Sequence, residues 1–479
     1  MSEIKRIFKN TMFLFFSNAI NVGLSLILVV AIARYLGNEG FGKYSFAFAF
    51  AGLLSMFADL GLSGFVIREI SKNKKMAESY INNLAGQKLV LGILSVIVPV
   101  IIIILTSKSP EVVLVVTLAS IATFFIRYNS TYVVLFRSYE VMEFESISSV
   151  VERLVALVLG LIVLMKGYGV VALASVLVVS NFADFLFSHF SARKKVFHVK
   201  PRFEKDFWKF DFLMKNGLPF WFTGVFINIY FRIDTIMLGY MTSYAVVGWY
   251  NAAYQIIDML GKIPFIVTSA LFPVMSRFFV SSKDMLKKVF HKSIYYLFIL
   301  AVPIGIGGAL LADRLIIFVF KSQFRESVVA LQILIWALVF MFVNYLIGYL
   351  LNSIEKQKIF TLTTGACALF NIILNIILIP KYSYKGSAFA TVLTEALNFS
   401  LLYYFAAKSG YKLDIFAICL KPITAGIAMA GFLVYFRWFH LLILVPLAGL
   451  FYFFILWVIK GFSKEEYEIL RIIFSKNKT

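Results

Sequence analysis

The sequence contains little charge, almost no cysteine and few histidines. Only 15% of its 479 residues are charged, against about 25% in an average soluble domain. With 2 cysteines and 52 phenylalanines, a disulfide-stapled scaffold and a disordered chain are both excluded. No phosphate-cradling glycine loop occurs. The histidines lie in or near loops, away from any nucleophile or paired acid, so we expect neither a metal centre of Cys/His type nor an enzyme. These histidines are His189, His198, His291 and His440.

Apolar residues dominate instead, at 61% of the chain with a mean hydropathy of +0.87. A membrane-crossing helix needs about 20 apolar residues. Strand-like alternation is missing, so we predict an all-α polytopic membrane protein with about fourteen transmembrane helices, because helices satisfy their own backbone groups in lipid. The predicted spans cover residues 11–33, 44–66, 86–106, 112–136, 147–165, 169–190, 217–239, 244–270, 292–312, 327–351, 359–379, 386–407, 416–436 and 441–459.

The basic residues are distributed unevenly between the two sides of the predicted membrane. When cations near span ends are counted with the adjoining loop, 33 of the 46 Lys and Arg fall on one side and 10 on the other. Cytoplasmic loops carry the Lys/Arg excess, which predicts a multi-pass protein of the plasma membrane with both termini in the cytoplasm. The basic linker at 191–216 is expected to contact anionic membrane lipids rather than nucleic acid.

Internal similarity indicates a repeat. Tyr168–Leu177 reads YGVVALASVL near the sixth span, and Tyr384–Leu393 reads YKGSAFATVL near the twelfth. A weaker match joins LG…GKY, from Leu36 to Tyr44, with LG…GWY, from Leu238 to Tyr250. This spacing predicts a six-span unit used twice.

Because six is an even number, both units keep the same orientation, and a pseudo-two-fold axis should run along the membrane normal. We predict an N-terminal lobe at residues 1–200 and a C-terminal lobe at 201–412. The segment 413–479 holds two extra helices and a cytoplasmic tail. Two lobes around a central cavity suit alternating access.

Three segments carry a family resemblance: Ala33–Glu69, Tyr230–Tyr240 and Asn371–Glu395. They resemble the Wzx-type polysaccharide flippases of the multidrug/oligosaccharidyl-lipid/polysaccharide (MOP) exporter superfamily, over essentially the whole chain. The resemblance implies a transporter that moves a polyprenyl-(pyro)phosphate-linked oligosaccharide from the inner to the outer leaflet, coupled to an ion gradient or to membrane potential. The alternatives are a multidrug/toxin extrusion-type cation antiporter of the same fold and a membrane-embedded glycosyltransferase or polymerase. Polysaccharide-assembly proteins are further expected partners, and we expect a monomer.

A cargo with phosphate groups needs cations inside the membrane, where an ionised side chain normally faces a cavity or a partner. Arg127, Arg232, Lys262 and Arg153 are the candidates for binding the substrate phosphate. Three of the four have another interpretation. Lys262 could pair with Asp258 four residues earlier, Arg153 could extend to the interface, and Arg232 could pair with a carboxylate of another helix.

The resemblance also implies a site for a coupling cation. Lipid II flippases bind sodium through an Asp, a pair of polar residues four apart and a Thr, and that pattern falls here on Asp234, Asn371, Asn375, Ser387 and Thr391. A sodium ion is therefore expected at Asp234, Asn371, Asn375 and Thr391, although Asn375 replaces a carboxylate. The alternative is that the two asparagines form hydrogen bonds between helices.

Further polar residues within or near the spans are candidates to line the cavity. These are Asn21, Asp59, Asn228, Asp258 and Glu395.

Overall fold

The computed structural model describes residues 3–106, 108–208 and 217–462. Over these residues the chain forms fourteen α-helices and no strand, which confirms the all-α prediction. The helices are α1 (Glu3–Leu54), α2 (Leu62–Lys72), α3 (Ala77–Leu105), α4 (Pro110–Ser138), α5 (Met142–Met165), α6 (Gly169–Lys195), α7 (Leu218–Met241), α8 (Tyr244–Ser281), α9 (Lys283–Leu310), α10 (Ala312–Phe320), α11 (Ser327–Ser353), α12 (Gln357–Lys408), α13 (Ile415–Tyr435) and α14 (Leu441–Val458).

Two of these helices, α1 and α12, are too long to cross a bilayer once. Each has 52 residues, which would extend about 78 Å if straight, more than twice the apolar thickness of a membrane. Each contains one residue with non-helical backbone angles, Gly37 (φ 71°, ψ −177°) and Ser383 (φ 55°, ψ −139°). Both are therefore pairs of helices joined at a single residue.

The number of membrane passes follows from this division. Eleven helical segments of the described chain are long and apolar enough to cross a membrane. Counting the halves of α1 and α12 separately and adding the 24-residue α7 gives the fourteen predicted spans. The chain is thus a multi-pass membrane protein.

The predicted span 44–66 is not one continuous helix. α1 ends at Leu54, and a short 3-10 turn at Ser55–Ala58 precedes α2. Gly61 lies between them at φ 76°, and a Cβ there would stand 2.2 Å from the carbonyl oxygen of Gly217. Only glycine tolerates both this backbone conformation and this close approach, so the helix breaks before Gly61.

The helices divide into two compact units. The first contains the chain up to Asn251 together with Ile372–Tyr384, and the second contains Ala252–Asn371 and the chain from Lys385 onward. In the second unit the two C-terminal helices share a buried core with α9, formed by residues such as Ile299, Met429 and Leu444. The lobe boundaries proposed at residues 200 and 412 stay predictions.

Within the first unit, the two segments of the weaker repeat pack against each other. A Cβ on Gly42 would lie 1.7 Å from the carbonyl oxygen of Tyr244, and a Cβ on Gly248 would lie 1.9 Å from that of Asn38. These two glycines occupy matching places in LG…GKY and LG…GWY. Their shared presence therefore reflects a reciprocal backbone contact between the two hairpins.

Candidate functional site

A buried group of polar side chains joins α2, α3 and α4 in the first unit; we call it the cationic cluster. Lys88 of α3 donates from Nζ to Ser63 Oγ at 2.8 Å and to Ser130 Oγ at 2.5 Å. The same nitrogen lies 3.5 Å from Asp59 Oδ1. The Lys88 side chain has 0% exposure and that of Asp59 has 27%. The cluster comprises Ser55, Asp59, Ser63, Lys88, Arg127 and Ser130.

Asp59 is held at the break between α1 and α2. Its Oδ1 accepts from the hydroxyl of Ser63 at 2.8 Å and from the Ser63 backbone N–H at 3.3 Å, so it caps the first turn of α2. The break that shortens the predicted second span therefore also places a carboxylate beside Lys88.

Arg127 of α4 supplies the second cation of the cluster. Its Nε donates to Ser55 Oγ at 3.1 Å, and its carbonyl oxygen accepts from Ser130 at 2.6 Å. Within the described chain, the bond to Ser55 is the one hydrogen bond that the guanidinium makes, and electrostatic interactions link Arg127 with Asp59 and Lys88. Two cations against one carboxylate give the cluster a net charge of about +1.

The other three predicted phosphate ligands lie elsewhere. Arg153 pairs through Nε with Glu152 Oε2 at 3.1 Å, and Arg232 is exposed on α7. Both interact electrostatically with Tyr44 of α1, so they share one region of the first unit. Lys262 is half-buried on α8 in the second unit.

The expected ion pair between Lys262 and Asp258 is wrong. No pair within 4.0 Å joins these two side chains, both of which belong to the described part of α8, and Asp258 is exposed. The four-residue spacing permits such a pair without enforcing it, because the flexible Lys262 side chain can extend away from Asp258.

Three buried side chains of the first unit form a second group, the aspartate cluster. Asp234 of α7 is 3% exposed, and its Oδ1 accepts from Asn375 Nδ2 at 2.8 Å. Its Oδ2 accepts from the hydroxyl of Tyr250 at 2.7 Å. The family resemblance implies Asp234 and Asn375 as ligands of the same cation, and the structure places their side chains in contact.

The chemistry of this cluster fits a hard cation such as sodium, which prefers oxygen ligands. The Asp234 carboxylate and the Asn375 amide carbonyl are suitable donors. Asn375 directs its amide nitrogen, rather than its oxygen, to the carboxylate. The residues therefore fit a cation if that amide rotates so that its oxygen replaces its nitrogen.

The remaining predicted cation ligands belong to the second unit. Asn371 donates to Thr394 Oγ1 at 3.4 Å, and Thr391 donates to the carbonyl oxygen of Ser387 at 3.0 Å. Glu395 is buried at 3% exposure and accepts from Asn344 Nδ2 at 2.7 Å. Asn371, Ser387 and Thr391 are thus polar groups of a different unit from Asp234.

Comparison with known proteins identifies the family. The family model described as polysaccharide biosynthesis protein matches residues 7–279, which is more than half of the chain. A second model, MatE, matches residues 219–377. The chain belongs to the polysaccharide biosynthesis protein family. The resemblance to the MOP superfamily inferred from the three sequence segments is thereby confirmed.

Two archaeal proteins are similar to parts of this chain. One is an uncharacterised membrane protein of Methanocaldococcus jannaschii, 30% identical over 208 residues, or 42% of this chain and 40% of the relative. The other is a probable low-salt glycan biosynthesis flippase of Haloferax volcanii, 28% identical over 172 residues, or 35% of this chain and 36% of the relative. The matches thus span about two fifths or less of these relatives.

A solved structure shares the fold over nearly its whole length. The lipid II flippase MurJ, in an inward closed conformation, has a TM-score of 0.77 and 16% identity, and the alignment covers 94% of this chain and 98% of MurJ. At this identity the likeness shows the fold alone.

Two other residues predicted to line the cavity of this polysaccharide biosynthesis protein donate hydrogen bonds within the protein. Asn21 donates to Ser149 Oγ at 2.9 Å, which links α1 to α5. Asn228 donates to the carbonyl oxygen of Gly224 in its own helix at 2.9 Å. The structure therefore gives Asn21 a role in helix packing and Asn228 a contact within α7.

Sequence reasoning misses the three serines of the cationic cluster, Ser55, Ser63 and Ser130, and two further residues of these clusters, Lys88 and Tyr250. In the count of cations on each side of the membrane, Lys88 falls with the adjoining cytoplasmic loop, although it lies two residues inside the predicted span 86–106. Its position within a span was the available signal. Tyr250 is 16 residues from Asp234 and reaches it across the α7–α8 turn. No helical periodicity connects residues of different helices, so the sequence offers no sign of that contact.

Proposed function

We propose that this protein is a flippase that moves a polyprenyl-(pyro)phosphate-linked oligosaccharide from the inner to the outer leaflet by alternating access. The observation that carries the proposal is the cationic cluster. An arginine and a fully buried lysine lie in membrane-spanning helices beside a single carboxylate. Charges inside a membrane are costly and typically mark a functional site. A phosphate headgroup is the complementary ligand, because guanidinium and phosphate form strong charge-assisted hydrogen bonds.

We assign the phosphate contact first to Arg127. Its guanidinium donates through Nε to Ser55. Its other N–H groups make no hydrogen bond within the described residues and are therefore available to a ligand. Arg153 and Arg232, close to Tyr44, are proposed as a second basic region for the same headgroup or for sugar hydroxyls. Lys262 is the weakest of the four candidates. It belongs to the second unit, whereas the cationic cluster and the region around Tyr44 belong to the first.

Coupling is a separate part of the proposal. Asp234 and Asn375 would hold a sodium ion. The family resemblance also implies Asn371, Ser387 and Thr391 as oxygen donors, and these residues belong to the second unit. The ion would supply positive charge to a buried carboxylate and thereby link the aspartate cluster to the ion gradient. The Asp234–Asn375 distance of 2.8 Å supports this assignment for two of the five residues.

The proposed orientation places both termini in the cytoplasm, with lipid-linked oligosaccharide and membrane lipids as the molecules bound. It follows from the excess of Lys and Arg on one side of the spans. Labelling of single cysteines introduced into alternate loops would test it. Reaction of the loop at residues 196–204 with a membrane-impermeant reagent in intact cells would contradict the orientation.

A multidrug antiporter is the second candidate function, and one observation favours it: the MatE model matches residues 219–377. Such a pump requires an acidic site for an organic cation. Two acidic residues of the first unit, Glu152 and Asp184, are candidates for such a site. Glu152 is buried and pairs with Arg153, and Asp184 accepts a hydrogen bond from Asn129 at 2.5 Å. Proton-driven efflux of a cationic dye such as ethidium from proteoliposomes would support this function over the flippase.

The flippase proposal is tested in proteoliposomes with a fluorescent polyprenyl-pyrophosphate-linked disaccharide, whose exposure is followed by a leaflet-restricted quencher. Arg127→Ala should reduce transport about 10- to 100-fold, which corresponds to a charge-assisted bond of about 1.5–3 kcal/mol. Lys43→Met is the matched control, since Lys43 pairs with Glu39 and Glu111 away from the cluster. Equal transport by the parent and Arg127→Ala would refute the phosphate assignment.

A further inference from the structure

Lys88 is a buried cation that has no surface for a ligand. Its side chain is 0% exposed, and its ammonium group faces Ser63 Oγ, Ser130 Oγ and Asp59 Oδ1. An ammonium has three N–H donors, so these three oxygens account for all of them. Lys88 therefore acts on any bound anion through its neighbours rather than by contact.

Asp59 is the neighbour whose charge matters most for Arg127. The two side chains interact electrostatically, and Asp59 retains 27% exposure. A carboxylate beside a guanidinium competes directly with a phosphate for the same donors. In this structure, however, Asp59 Oδ1 is turned to Ser63 and Lys88, and Arg127 bonds to the neutral hydroxyl of Ser55.

Loss of Lys88 would leave the Asp59 charge without its lysine partner in a region of low polarity. An uncompensated buried charge is strongly unfavourable, so the carboxylate would recruit the remaining cation, Arg127. The net charge of the cluster would fall from about +1 to about zero, and the guanidinium would be occupied.

We propose that Lys88 is a positioning residue that neutralises Asp59 and so keeps the Arg127 guanidinium available to a phosphate headgroup. The inference rests on the proposed function, because it presumes an anionic lipid at Arg127. It adds a specific expectation: the carboxylate of Asp59 opposes anion binding, and Lys88 suppresses that opposition.

The test measures binding of geranylgeranyl pyrophosphate to the purified full chain in detergent by calorimetry, with geranylgeraniol as the uncharged control. Lys88→Met should weaken binding about tenfold or more, the size of one charge-assisted bond. Asp59→Asn should bind more tightly than the parent. The double variant Asp59→Asn/Lys88→Met should return to within about threefold of the parent, because both charges are removed together.

These outcomes separate the inference from the proposed function. If Arg127→Ala binds as tightly as the parent, the phosphate site is wrong, whatever the Lys88 variants do. If Arg127→Ala loses binding but Lys88→Met retains it, or the double variant does not recover, the site stands and the role of Lys88 is overturned. A purely structural role for Lys88 predicts that removing Asp59 restores stability in the double variant, but it does not predict tighter binding by Asp59→Asn alone.

Lys88→Met could fail to fold, since it alters a fully buried position. In that case Asp59→Asn decides alone: tighter binding supports the role of Lys88, and weaker binding overturns it. Lys43→Met controls for the loss of a paired lysine, because its partners Glu39 and Glu111 lie outside the cluster. It should bind the pyrophosphate probe as the parent does.

Discussion

The cationic cluster and the aspartate cluster belong to the same unit but differ in charge. The first has an excess of positive charge, and the second holds a carboxylate. Lys88 and Arg127 outnumber Asp59, and the Arg127 guanidinium has one described hydrogen bond. The Asp234 carboxylate, by contrast, accepts a hydrogen bond on each of its two oxygens. The first cluster carries a net positive charge and is the one that we propose receives an anion, whereas the second stabilises an anion of its own. The proposed anion binding and the proposed ion coupling can therefore be examined separately.

The largest expected effect is on stability and comes from Asp234→Ala. Asn375 and Tyr250 would both lose a buried carboxylate acceptor, at about 1.5–3 kcal/mol for each hydrogen bond. Arg127→Ala removes one hydrogen bond to Ser55 and relieves repulsion with Lys88, so its stability should change little. Thermal unfolding of both variants in detergent measures the contrast. Similar losses in both would break the distinction between a binding cluster and a stabilised one.

Gly248→Ala should be the next most damaging change. Its Cβ would lie 1.9 Å from the Asn38 carbonyl oxygen, and overpacking of this kind costs about 1–3 kcal/mol. Gly248 is two residues before Tyr250, so the aspartate cluster should be disturbed and the cationic cluster spared. Gly224→Ala, with no atom within 4 Å of its Cβ, is the control. We expect lower thermal stability in the first variant alone, with pyrophosphate binding retained in both.

Sodium should stabilise the parent protein through the aspartate cluster, by about 1.4 kcal/mol at ten times its dissociation constant. Asp234→Asn should abolish this gain, because the carboxylate charge is lost. Unfolding scans in sodium chloride against potassium chloride provide the measurement. If sodium does not alter the unfolding of the parent, the cluster is a packing feature and the coupling proposal fails.

The smallest effect is expected at Lys108, which connects the elements carrying the two clusters. It follows α3 and precedes α4, yet its Nζ donates to the Gly239 carbonyl oxygen at 2.9 Å and lies 4.7 Å from the Tyr240 ring centroid. Partial burial lowers the pKa of this ammonium. Lys108→Met should cost about 0.5–1 kcal/mol through the lost cation–π contact. A large change in pyrophosphate binding would show that the two clusters are coupled.

The sequence is sufficient for the number and approximate limits of the membrane spans, because runs of apolar residues and the thickness of the membrane determine them. The resemblance implies Asp234 and Asn375 as ligands of one cation, which stays a prediction, and the structure shows a hydrogen bond between them. The break before α2 was not predicted. It depends on Gly61 meeting the Gly217 backbone, a contact between distant segments.

In the cationic cluster, too, the sequence does not predict a contact between distant segments. The sequence identifies Arg127 and Asp59 as charges in or near spans, but it places Lys88 with a loop. Its burial depends on Ser63 and Ser130, which arrive from α2 and α4. A lysine near a span end can extend to water or turn inward, and hydrophobicity does not distinguish these outcomes.

The central claim is that the cationic cluster selects an anionic lipid-linked cargo, and a cargo comparison tests it most directly. Leaflet exposure would be measured in proteoliposomes for a polyprenyl-pyrophosphate-linked disaccharide and for a neutral glycolipid with the same sugar and tail. We predict rapid translocation of the pyrophosphate-linked lipid and only background translocation of the neutral one. Equal rates for the two lipids would contradict the account.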